Sequence, residues 1–76
     1  MDGLAAIRKA SGLTQVELAA QLGVGQAAVS KIERQTDMLL STLASYLDAL
    51  GANAQIVVEV GDQTLTYDLT ARRKTR

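Results

Sequence analysis

The side chains best equipped for chemistry are amides, hydroxyls and cations gathered between positions 14 and 34. Thr14 and Gln15 open one helical stretch, and Gln26, Ser30, Lys31 and Arg34 recur along the next. A glutamine amide offers a donor and an acceptor side by side, the pattern that pairs with N6 and N7 of adenine in a major groove. Ser30 suits a base edge or the backbone, Lys31 suits a phosphate, and Arg34 suits the backbone. The free amides of the helix start at Thr14 and Gln15 also suit a phosphate. Each has a plainer reading. Gln26 is equally an exposed polar residue at a helix start, Thr14 a cap, and Arg34 a cation pairing in solvent. Catalysis has less to work with: the sequence has no His and no Cys, and its carboxylates are scattered over caps and strand surfaces. No acid–base pair or nucleophile–base arrangement stands out, and neither a metal nor a cofactor is expected.

These residues need short helices to hold them. Residues 4–10 set Leu4 and Ile7 at i,i+3 among good helix formers, with Gly12 suited to a left-handed cap. Thr14-Gln15-Val16-Glu17 reads as a capping box that opens a helix over 15–22, and Gly23 stops it. After Val24 and Gly25 the period resumes from Gln26 to Arg34, with Val29 and Ile32 on the apolar side. Asp37 is a good N-cap for a fourth helix, whose stripe of Leu39, Leu40, Leu43, Leu47 and Leu50 is expected to be core. Past Gly51 the period falls to two, with Ile56, Val58 and Val60, then Leu65, Tyr67 and Leu69, alternating with polar residues. A Gly61-Asp62 loop sets Val60 opposite Gln63, Val58 opposite Leu65 and Ile56 opposite Tyr67. Thr70 to Arg76 has no apolar period and is expected to be mobile.

Helix, minimal glycine turn, helix is the layout of a helix-turn-helix, whose second helix enters the DNA major groove. Ala19 falls where the two helices approach most closely, Gly23 where the chain must reverse, and Val29 and Ile32 beneath the second helix. The run Leu13-Thr14-Gln15, Leu18-Ala19, Leu22-Gly23-Val24, Gln26, Val29-Ser30, Ile32-Glu33 closely resembles the helix-turn-helix of phage repressors of the lambda and Cro type and the wider XRE-like regulators. The resemblance covers roughly residues 4–51. It implies a mostly α fold: a lambda-repressor-like bundle of about four helices followed by a C-terminal β-hairpin. At Gly25 many relatives carry Ser or Thr, so one phosphate contact is weaker here. The set it marks for DNA contact is Thr14, Gln15, Gly25, Gln26, Ala27, Ser30, Lys31 and Arg34. The fourth helix ending in Leu50-Gly51, followed by a strand and Gly-Asp-Gln-Thr-Leu-Thr, is similar to antitoxins of the HigBA kind. That likeness implies an operator-binding repressor that also neutralises a co-encoded toxin. The alternative is a stand-alone XRE-type regulator with no toxin partner.

Length and charge frame these expectations. At 76 residues there is room for one domain, organised as a helix-turn-helix core over 1–51, a hairpin over 52–70 and a basic tail over 71–76. So small a chain buries a modest core, and with no Cys and no His a partner subunit is the favoured remedy. A homodimer is expected, with Ile56, Val58, Val60, Leu65 and Tyr67 closing across a two-fold axis. The competing arrangement folds the hairpin onto its own helices. Net charge is zero but segmented: +1 over residues 1–36, −5 over 37–70 and +4 in the tail. The acidic segment and the basic tail are the two candidate surfaces for a toxin. Aromatics suited to stacking single-stranded bases are wanting, since Tyr46 and Tyr67 fall where packing explains them, so duplex DNA is the better target. No apolar run is long enough to span a membrane, and the N-terminus does not read as a secretory signal, so a cytoplasmic location is expected.

Overall fold

The computed structural model describes residues 3–70. Four helices come first: α1 (Leu4–Ala10), α2 (Gln15–Leu22), α3 (Gln26–Arg34) and α4 (Leu40–Ala49). Two antiparallel strands follow, β1 (Gln55–Val60) and β2 (Gln63–Asp68). The ends of α2 follow from local chemistry. The Thr14 hydroxyl accepts from the Glu17 amide at 3.1 Å while the Glu17 carboxylate accepts from the Thr14 amide at 2.9 Å, which closes the capping box. Gly23, at φ 74°, then takes the left-handed turn that a β-carbon would strain, and only two residues separate α2 from α3.

Leu18, Ala19, Val29, Tyr46 and Leu47 form the buried core, so α2, α3 and α4 each contribute to one centre. Leu4, Leu22, Ile32, Leu43 and Leu50 pack around it. Ala19 meets its expectation as the small residue at the helix approach, being 4% exposed.

The fourth helix begins later than its sequence suggests. Asp37 does not cap it; the N-cap is Leu39, which makes no side-chain cap bond. A cap is a local preference of about 1 kcal/mol, and it loses here to the packing that brings Leu43, Tyr46 and Leu47 onto the core. The leucine stripe is shortened accordingly, because Leu39 and Leu40 remain 72% and 52% exposed.

The hairpin has the expected register, with Ile56 opposite Tyr67, Val58 opposite Leu65 and Val60 opposite Gln63. Gly61 supplies a φ of 58° at the first loop position, as a two-residue hairpin requires. Its two strands are closed at the base, where Leu69 donates its amide to the Ala54 carbonyl at 2.9 Å and the Ala54 amide donates to Thr70 Oγ1 at 3.0 Å, and Ala54 and Leu69 pack there against the helical core. Thr70 is therefore buried, and the expectation of mobility from that residue onward is corrected at its first position; residues 71–76 lie outside the described residues. Beyond the base the apolar face stands open. Tyr67 is 61% exposed, so packing within the chain does not account for it, and the arrangement with the hairpin folded onto its own helices is not the one seen.

Candidate nucleic-acid interface

On a helix turning about 100° per residue, Gln26, Ala27, Ser30, Lys31 and Arg34 fall within an arc of about 140°, opposite Val29 and Ile32. The structure bears this division out: Gln26, Ala27, Lys31 and Arg34 are exposed and Ser30 half-buried, whereas Val29 is fully buried. Gly25 is the exposed N-cap of α3 and makes no side-chain cap bond, having no side chain to do so. Arg34 leans back along the helix, its Nη1 donating to Ser30 Oγ at 3.3 Å. Exposed Thr14 is engaged in its capping box.

The two helix starts are tied together. Gln26 Nε2, on the first residue of α3, donates to Gln15 Oε1, on the first residue of α2, at 3.1 Å. Both starts thus present free backbone amides and the positive ends of their dipoles to one neighbourhood. A shallow cleft beside them is lined by Arg8, Lys9, Thr14, Gln15 and Gln26, among others. Lys9 is an exposed cation there that sequence reasoning did not single out.

Behind this surface lies a polar cluster that sequence reasoning also missed. Glu33 lies at the inner edge of α3 with its side chain only 5% exposed, and its carboxylate accepts from Arg8 Nε at 2.6 Å, from the Tyr46 hydroxyl at 2.6 Å and from Gln15 Nε2 at 2.9 Å. Arg8 also donates from Nη1 to the Leu13 carbonyl at 2.9 Å, so α1 is bound to the loop that precedes α2. Burial alone would push the Glu33 carboxyl up, but the hydrogen bonds from Arg8, Tyr46 and Gln15, with the charge of Arg8, hold it below the ordinary glutamate value. The hydrogen bond to Glu33 raises Arg8 against its own burial, and burial together with the neighbouring carboxylate raises Tyr46. All three groups therefore keep their usual charge states at neutral pH. A signal for Arg8 did exist: it follows Leu4 by four residues and so shares that residue's inward face.

Among the described residues no group of three His, Cys, Asp or Glu side chains could hold a metal, and no helix is long and apolar enough to cross a membrane. On the hairpin, Val58, Val60, Leu65 and Tyr67 are exposed and Ile56 half-buried, so the five residues expected at a dimer contact share one largely uncovered face.

The family model described as helix-turn-helix matches residues 4–56, which takes in all four helices. Antitoxin HigA1 of Mycobacterium tuberculosis is 46% identical over 61 residues, a stretch that covers 79% of this chain and 41% of that protein. The chain thus spans about two fifths of the length of that curated relative. A solved structure described as DNA bound antitoxin HigA3 superposes with a TM-score of 0.78 at 43% identity, over 87% of this chain and 88% of that one. A second, described as induced DNA bending by unique dimerization of HigA antitoxin, superposes at 0.75 with the same identity and coverage. With its helices, turn and hairpin matched along most of their length, the chain belongs to the helix-turn-helix family, among the relatives of the HigA antitoxins.

Proposed function

We propose that this chain is a sequence-specific duplex-DNA-binding repressor and the antitoxin of a type II toxin–antitoxin module, acting in the cytoplasm on its own operon. The observation that carries the reading is the joining of two helix starts by the Gln15–Gln26 bond beside the exposed polar face of α3. On this reading Gln26 meets a base edge, and Ser30 meets a base edge or the backbone. Lys31, Arg34 and Gln15 meet phosphates, with Thr14, Gly25 and Ala27 at the contact. The likeness to a DNA-bound HigA3 supports it.

Residues 1–51 form the DNA-binding core and 52–70 the dimer contact. The uncovered face of Ile56, Val58, Val60, Leu65 and Tyr67 supports a homodimer, as does the dimerization reported for a HigA relative. A two-fold dimer sets two copies of α3 on successive major grooves, so the operator is a palindrome with half-sites about 34–36 Å apart or a multiple of that. The toxin takes the acidic surface of residues 37–70 or the basic tail, and deleting residues 71–76 separates the two. Co-expression with the product of the adjacent gene, followed by purification on a tag carried by this chain, tests the antitoxin reading. A stoichiometric complex in which the partner's toxicity is silenced is expected; a chain that binds its operator but never the neighbour is a stand-alone regulator.

A further inference from the structure

We propose that the outer edge of β1, with the acidic face of the hairpin beside it, is the docking surface for the toxin, which adds to the sheet an amphipathic strand carrying cations on one face and apolar residues on the other. This rests on the antitoxin reading above and deepens it by naming the surface, the mode of binding and the chemistry of the partner segment.

The register decides which backbone groups are left for a partner. In an antiparallel pair, residues that exchange hydrogen bonds across the ladder alternate with residues whose N–H and C=O point outward. The Leu69 amide donates to the Ala54 carbonyl, so Ala54 is turned inward, and with it Ile56, Val58 and Val60. Gln55, Val57 and Glu59 therefore turn their N–H and C=O groups away from β2, along an edge about 20 Å long. Natural sheets blunt such edges with Lys or Pro. This one has neither: the sequence has no Pro, and no Lys or Arg falls between residues 37 and 70. Of the two edges β1 is the better template. Its run Ile56-Val57-Val58 is β-branched throughout, and Val57, 56% exposed, gives an incoming side chain an apolar neighbour that the Thr64, Thr66 and Asp68 edge of β2 does not.

Charge selects the occupant. Side chains alternate across a strand, so Gln55, Val57 and Glu59 share a face with Thr64, Thr66 and Asp68, all exposed, while Ile56, Val58 and Val60 lie on the other. The first face carries Glu59 and Asp68, with Asp62 in the loop at its end, and no cation. A strand laid along β1 thus meets carboxylates on one face and aliphatic side chains on the other, which fits cations alternating with apolar residues. Duplex DNA is repelled by such a face. A second copy of the hairpin brings further carboxylates and no cation, and the tail Arg72-Arg73-Lys74 with Arg76 brings charge without alternating apolar residues. A toxin strand of opposite charge satisfies both faces and turns a marginal two-stranded sheet into a three-stranded one.

The test titrates the full chain with the purified product of the adjacent gene. Val57→Pro removes an outward N–H and no ladder bond, and Thr66→Pro does the same on β2. Val57→Pro should weaken the complex roughly tenfold or more, and Thr66→Pro by less than about twofold. Glu59→Lys should weaken it about 3- to 10-fold and flatten its dependence on salt. All three variants should keep the parent's sedimentation and operator affinity; should Val57→Pro lose its fold, Glu59→Lys and the salt dependence carry the test. Parent-like binding by a folded Val57→Pro, or by Glu59→Lys, would overturn the proposal. Variants that weaken self-association while binding the neighbour as the parent does would give the edge to a second copy, and loss of binding on deleting residues 71–76 with the edge variants parent-like would give the toxin to the tail; either result also overturns it. A parent that never binds the neighbour would instead overturn the antitoxin reading beneath.

Discussion

In the helical head, Leu18, Val29 and Tyr46 are wholly enclosed and the buried cation Arg8 has its carboxylate, whereas in the hairpin Val58, Val60, Leu65 and Tyr67 stand along one face with 44% to 61% of each exposed. Both regions follow their expected periodicity; only the head has something to pack against. The head is anchored at several points by contacts that run between helices. The hairpin meets the head at its base, where Ala54 and Leu69 pack against the core, and beyond that base its apolar face is uncovered. An isolated two-stranded sheet is marginal in water and exposes edges that can template another strand. The difference separates a unit that packs its own core from one whose apolar face is left uncovered.

The largest effect should come from breaking the polar centre of the head. Glu33→Gln or Arg8→Met leaves a buried group without its counter-ion, which costs about 3–5 kcal/mol and is measurable by denaturant unfolding. Acid should do the same work gradually. Because the folded Glu33 carboxyl lies below the ordinary value of 4.5, its stabilisation is complete above that value and is lost as pH falls through the folded pKa. Stability followed by denaturant titration should decline with acid in the parent and decline less steeply in Glu33→Gln.

Next in size is the apolar core. Leu18→Ala should cost roughly 2–5 kcal/mol, since the residue is fully buried between helices that cannot all collapse onto the space. A smaller loss tests the entry to α2: Thr14→Ala removes a capping hydroxyl and should cost about 1 kcal/mol by thermal or denaturant unfolding. Smallest for the single chain is the hairpin. Leu65→Lys should change the stability of the dilute monomer by no more than about 0.5 kcal/mol, yet sedimentation at micromolar concentration should shift from dimer to monomer. Equal destabilisation by Leu65→Lys and Leu18→Ala under dilution would erase the contrast between the regions.

What could be read in advance was whatever is encoded locally. Thr14 and Glu17 lie three residues apart and announce their capping box, Gly23 announces the turn, and Gly61 with period-two flanks announces both hairpin and register. The candidate face of α3 was legible for the same reason, because helical spacing alone sorts Gln26, Lys31 and Arg34 from Val29. The centre beneath it was not. Arg8 and Glu33 are 25 residues apart and Tyr46 a further 13 beyond Glu33, so only the folded arrangement of α1, α3 and α4 brings them together. The start of α4 was misplaced because a local cap at Asp37 yields to the long-range packing of Leu43 and Tyr46. Thr70 was misjudged likewise: its partner, the Ala54 amide, is 16 residues earlier.

The most direct test of the account is the affinity of the parent chain for the duplex upstream of its own gene and for a random duplex of equal length, at one fixed salt concentration. A preference for the upstream duplex on the order of 1,000-fold or more is expected. Gln26→Ala should lose about 1–3 kcal/mol on that duplex and little on the random one. Equal affinity of the parent for both duplexes would contradict the claim that α3 reads sequence.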